Sequence, residues 1–294
     1  MIDKQEQRRF QDLESQLLSK MLPAQVDLLD RTAVIEPCRT GCRGFENLGQ
    51  KVVAALSQAA SIVDERERRD FHRALIARLA QNTLERLEGV TLTPRIIERT
   101  QQWLPRLAEF LEGLETTSYA FPDDSFCKDY RFVTMKTVPC GAQVVDLNDG
   151  VGPKTSLKLA LQHPLVAVRA AKSAWFRPHT ESRYLDEFND AGWQNCYREL
   201  AKLLELYPTV RGMVATSWFY DPALSEISPR LAYLRQLPVD NGAMLVKHGT
   251  TEFDVLSATA TSPTRRALFE AGKYKPICCS ILWDRHDIMA WSRH

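Results

Sequence analysis

The sequence predicts an α+β fold: a helical N-terminal segment over residues 1–115, then a mixed α/β domain over residues 116–294 that carries the candidate site. Three observations lead there. Up to Thr116 apolar residues recur at intervals of three and four, with hardly a β-rich run among them. Beyond it short β-branched and aromatic runs alternate with helical stretches, as in layered α/β structure. Five of the six tryptophans and five of the six histidines also lie beyond it. A chain of 294 residues is long for one domain, which agrees with two parts.

In the first segment, residues 47–89 hold two apolar faces, one of Val52, Val53, Leu56, Ala60 and Val63, the other of Phe71, Leu75, Leu79, Leu84 and Leu87. The mixed charges of residues 64–70 mark a solvated face or a turn between two helices. Thr93 before Pro94 reads as an N-cap with a first-turn proline; Pro105 is expected to kink or break that helix, and Gly113 to end it. His72, beside the Phe71/Leu75 stripe, reads as a packed or surface residue rather than a ligand. The glycine-bearing loop of residues 36–44 reads as a connection between helices. This segment is assigned scaffolding, lid or self-association work, with a homo-oligomer formed through its helices.

In the second segment, the β-prone runs 130–135 and 142–146 flank Pro139-Cys140-Gly141 and predict a hairpin. Residues 148–156 then lead into a helix. A phosphate loop needs G-x-x-x-x-G-K-[ST], but Leu147 stands where the first glycine belongs and Pro153 removes an amide, so a turn with helix capping is the reading. Further strands are expected over residues 170–176, 212–220, 244–247 and 277–283. Helices are expected over 187–207 and from Ser262-Pro263 through Phe269 to Gly272. Residues 283–287 read as a hairpin turn with an exposed His286.

Composition narrows the partners. Net charge is +1, with 17 basic against 18 acidic residues before Thr116 and 21 against 19 from it onward, so the basic surplus of a nucleic-acid binder is missing. No apolar run approaches the ~18 residues of a membrane span, and the polar N-terminus does not read as a signal peptide. The expectation is a soluble, cytoplasmic protein with a small-molecule substrate, no nucleic acid and no membrane. Its seven cysteines lack the paired C-x-x-C spacing of a zinc site and read as reduced thiols.

The strand ending Trp218-Phe219-Tyr220, the helix of residues 228–235 and the run of residues 266–276 together resemble the last part of the GNAT acyltransferase fold. That resemblance implies a GNAT-like domain, acyl-CoA as cofactor, and Ser228 and Arg230 near it. GNAT enzymes seat the CoA pyrophosphate on a glycine loop of the type [RQ]-x-x-G-x-[GA] at a helix N-terminus. After Tyr220 this chain offers nine residues without glycine, two of them the prolines Pro222 and Pro229.

For chemistry, His179 and Glu181 stand two apart, on one side of an extended segment. With His248 they would make a two-histidine, one-carboxylate set for iron(II), with Arg265 anchoring a 2-oxo acid. Without metal, His179 can act as general base with Glu181 orienting it. In the third reading Glu181 simply pairs with Arg183. Tyr220 and Asp221, at a strand end, offer a phenolic acid and an ammonium anchor. The functions left open are an acyltransferase-like enzyme for a small amine or carrier-bound metabolite, a non-haem iron oxygenase, and a non-catalytic binding or assembly protein.

Overall fold

The computed structural model describes residues 4–35, 48–114, 118–162, 164–171, 173–183 and 185–294. The loop of residues 36–44, with Cys38 and Cys42, lies outside them. The chain divides into two compact units, Met1–Pro139 and Cys140–His294. The change of sequence period at Thr116 falls inside the first.

Unit 1 contains α1 (Lys4–Leu18), α2 (Pro23–Thr32), α3 (Gln50–Ala59), α4 (Glu65–Ala80), α5 (Thr83–Glu88), α6 (Pro94–Glu112), α7 (Asp124–Val133) and a short strand β1 (Thr137–Pro139). Asp64 caps α4 by accepting from the Glu67 amide at 2.8 Å. The helix then buries Phe71, His72, Ala74, Leu75, Ile76, Ala77, Leu79 and Ala80, most of its circumference. The second half of the helix, apolar over most of its surface, is enclosed, and α1, α2, α6 and α7 pack on α4. Thr93 caps α6, accepting from the Ile96 amide at 3.3 Å. The helix does not break at Pro105 but continues to Glu112. Val63, expected on the buried face of α3, lies past the helix end and is exposed.

The strand expected over residues 130–135 does not form, because Tyr130, Phe132 and Val133 belong to α7. Phe126, Tyr130 and Val133 are spaced to share a helical face and are buried. The β-propensity of aromatic and branched residues expresses fit to a half-buried surface, and a helix can supply one equally well.

Unit 2 holds β2 (Val144–Asp149), α8 (Pro153–Gln162), α9 (Pro164–Ala171), β3 (Ala174–His179), α10 (Asp190–Leu206), β4 (Val210–Ser217), α11 (Leu224–Ile227), α12 (Tyr233–Asp240), β5 (Met244–Gly249), α13 (Glu252–Thr259), α14 (Pro263–Glu270), β6 (Cys278–Asp284) and α15 (Arg285–Trp291). Its strands lie in the order β2-β3-β4-β6-β5. β3 and β4 are parallel, joined by the crossover helix α10, while β2/β3, β4/β6 and β5/β6 are antiparallel.

Alternation along the strands sends Trp175, Val214, Val246 and Leu282 to one face, where they form a core with Val151, Leu159, Ala167 and Ala170 of the α8/α9 region. Trp283 and Tyr197, ring centroids 5.3 Å apart, pack on the other face.

Three expected elements change in character. Residues 218–220 are a 3-10 turn rather than the end of a strand, because the Ser217 hydroxyl accepts from the Phe219 amide at 3.1 Å. The helix expected over residues 228–235 divides into a 3-10 turn at Pro229–Leu231 and α12. The expected hairpin turn at residues 283–287 instead opens α15, with Asp284 accepting from the His286 amide at 3.1 Å. Among the described residues no helix is long and apolar enough to cross a membrane. The described cysteines are all free thiols; burial pushes the Cys279 thiol up to about 12, which keeps it protonated and unreactive.

Candidate active site

In open α/β sheets ligands settle where parallel strands end and their connections diverge. Among the described residues of unit 2, β3 and β4 are such a pair. Its ladder joins Ala174 to Val210 and Phe176 to Met213, after which β3 runs on to His179 and β4 to Ser217 with no further ladder partner between them. The sheet therefore opens between β3 and β4 at their carboxyl ends.

The face that is apolar at Trp175, Val214, Val246 and Leu282 turns polar one alternation further on. Asp146 stands on β2, Arg177 and His179 on β3, Thr216 on β4, Ser280 on β6 and His248 on β5. On one side of the opening, His179 Nε2 lies 3.0 Å from Asp146 Oδ2. The carboxylate side chain is only 5% exposed and the imidazole 19%. A buried carboxylate facing a partly open imidazole fixes the orientation of the ring, as a general base requires. Neighbouring Arg177 is engaged elsewhere, paired with Asp149 and donating to the Gly150 carbonyl.

On the other side three hydroxyls and an imidazole converge. Ser280 Oγ lies 2.7 Å from His248 Nε2, 2.6 Å from Thr216 Oγ1 and 3.2 Å from Thr155 Oγ1. Ser280 is fully buried, and Thr216 is half-buried at the end of β4. Lys158 of α8 donates to the carbonyls of Lys247 and His248 at 2.8 and 3.3 Å, fastening the helix over this end of β5.

The residues singled out in the sequence separate into distinct settings. Glu181 does not orient His179. Its Oε1 accepts from the Arg183 amide at 2.9 Å and from Nε at 3.0 Å, and its Oε2 accepts from Nη2 at 2.9 Å. His179, Glu181 and His248 do not assemble as a metal set. Each faces a different partner, and among the described residues no three His, Cys, Asp or Glu side chains stand where one ion could be held.

Tyr220 is buried, and that burial raises its phenol well above the ordinary value. Asp221 ties two segments together, Oδ1 accepting from the Ala223 amide and Oδ2 from the Ile277 amide, each at 3.0 Å. Arg265 donates to Ser228 Oγ at 3.1 Å and to the Ala258 carbonyl at 2.5 Å, and its guanidinium lies 4.9 Å from the centre of the Trp218 ring. Arg230 is exposed. Asp146, Thr155, Thr216 and Ser280 escaped the sequence reading. The signal available for Asp146 was a carboxylate inside the apolar run Val144-Val145-Asp146-Leu147, since a charge in a buried strand needs a partner.

No protein-family model matches the chain, and comparison with curated proteins finds no match. Solved structures do match. One is an acyltransferase in complex with decanoyl-CoA and teicoplanin, with TM-score 0.54 and 12% identity over 94% of this chain and 85% of that one. Another is an acyltransferase in complex with CoA and 10C-teicoplanin, with TM-score 0.51 and 12% identity over 93% and 99%. At that identity the likeness is one of architecture: this chain has the fold of acyltransferases.

Proposed function

We propose that the chain transfers an acyl group from a CoA-type thioester to an amine or hydroxyl of a small molecule, with His179 as general base. The observation that carries this reading is the His179–Asp146 pair at the open end of the parallel strands β3 and β4, in a fold shared with CoA-bound acyltransferases. His179 takes the proton of the attacking nitrogen or oxygen. The new bond forms at the thioester carbonyl, the C–S bond breaks, and the sulfur leaves as thiolate. Thr216, backed by Ser280 and His248, supplies a hydrogen bond to the developing oxyanion or to the departing sulfur. Acceptor and thioester held together in the opening would gain the advantage of proximity.

The thioester carrier is not read through a glycine loop at residues 221–229. Asp221 already occupies the Ala223 amide, and the prolines offer none. The N-terminus of α10 is no better suited to phosphate, since Asn189 accepts from the Gly192 amide and Asp190 lies in the first turn. Of Ser228, Arg230 and Arg265, only Arg230 presents an exposed side chain for a phosphate contact.

Calorimetric titration with acyl-CoA, followed by thiol release in the presence of amine acceptors, tests the reading. Saturable binding and release that His179→Ala abolishes would support it. Neither binding nor release would overturn it and leave a binding or assembly role.

A further inference from the structure

We propose that the helical pair α8/α9 docks unit 2 onto an anionic lipid surface. From Gly150 to Thr180 the chain has no acidic residue but five lysines and arginines, Lys154, Lys158, Arg169, Lys172 and Arg177. Within this stretch α8 and α9 turn Leu159, Ala167 and Ala170 inward onto the sheet. Their opposite side is apolar as well: Leu157, Leu161, Leu165 and Val168 are between 58% and 79% exposed. Helices apolar on both sides are ordinarily enclosed by protein or lipid, and here only one side is covered.

Lys154 and Arg169 are exposed with these aliphatic residues. Branched aliphatic tips beside basic groups, in a stretch of chain without carboxylates, suit a layer whose surface is negative and whose interior is hydrocarbon. A protein partner fits less well. Protein hot spots favour aromatic and arginine anchors seated in pockets, whereas these are protruding aliphatics, and the described outward face of the two helices carries no aromatic ring. The absence of a spanning helix does not bear on this mode, in which short helices lie in the interfacial plane. The contacts of Lys158 with the end of β5 fasten the hairpin to the sheet that holds His248, so docking would bring that sheet to the lipid.

Co-sedimentation of the full chain with phosphatidylcholine vesicles containing about 30 mol % phosphatidylglycerol tests this, with pure phosphatidylcholine vesicles as reference. The expected result is partition to the anionic vesicles, weakened about tenfold or more in the neutral ones and by added salt. The double variant Leu161→Asp/Leu165→Asp should lose partition about tenfold or more with an unchanged circular dichroism spectrum. Lys154→Glu/Arg169→Glu should lose the preference for anionic lipid. Failure of the unmodified chain to partition, or equal partition of the leucine variant, would overturn the proposal. So would dimerisation abolished by the leucine variant without vesicle binding, which would assign the face to a second copy of the chain.

Discussion

His72 in unit 1 and His179 in unit 2 are both single histidines beside an apolar stripe in the sequence, and the fold gives them opposite characters. His72 is buried, with Phe71 and Phe126 ring centroids at 5.4 and 4.7 Å. Its Nδ1–H donates to the Arg68 carbonyl at 2.7 Å, and Nε2 is buried with no hydrogen-bond partner among the described residues. Burial pulls its pKa down to about 4. His179 keeps a fifth of its side chain open and has a buried carboxylate for partner. The difference teaches that a histidine's chemistry is set by what crosses from neighbouring strands and helices, not by the residues beside it in sequence. One ring is locked neutral as packing; the other is oriented and reachable.

The largest effect expected to sharpen this contrast is on turnover. His179→Ala and Asp146→Asn should each lower acyl transfer per folded molecule by about 10²- to 10⁴-fold, and the double variant by little more, because the pair acts as one unit. Full activity in either variant would break the contrast on the side of unit 2.

Next in size is acid sensitivity on the side of unit 1. The folded-state pKa of His72 lies below its unfolded value of 6.5, so the unfolded chain binds the extra proton between those limits. The His72 contribution is complete above pH 6.5 and is lost as pH falls towards 4, by about 3 kcal/mol in all. Urea unfolding of the full chain at several pH values should show this slope, and His72→Leu should flatten it. A slope unchanged in that variant would mean that other groups carry the acid response.

Asp221→Asn probes whether unit 2 has a second chemical centre at Tyr220 and Asp221. Leaving one of two buried amides poorly matched should cost about 1–3 kcal/mol of stability, with turnover per folded molecule preserved. A selective loss of turnover would return Asp221 to the active site. The smallest effect belongs to His286, which is almost wholly exposed. His286→Ala should shift the unfolding midpoint by no more than about 0.5 kcal/mol-equivalent and leave turnover alone.

What was legible in the sequence was local. Thr93 before Pro94 and Ser262 before Pro263 are side chains that accept an amide three residues on, and both cap the helices they announce. β2, β5 and β6 follow from short β-prone runs. The passage from helical to mixed elements follows from a change of period, and the acyltransferase-like fold from the order of the last elements. Long-range matters were not legible. Whether residues 130–133 form strand or helix depends on which surface buries them. The partner of His179 depends on the register that places Asp146 beside it, and the hydroxyl group around Ser280 draws on three strands and a helix. The pairing of His179 with Glu181 failed because Arg183, equally near along the chain, satisfies that carboxylate with both its amide and its guanidinium.

β6 follows β4 and β5 in the chain, yet it lies between them and bonds to both. During synthesis those two strands leave the ribosome without the element that joins them, and each shows a bare hydrogen-bonding edge until residue 284 has emerged. A nonsense change upstream of Cys278 would therefore not give a weakened catalyst. It would release a fragment with a divided sheet, His248 lacking Ser280, and open edges exposed to proteases and to other chains.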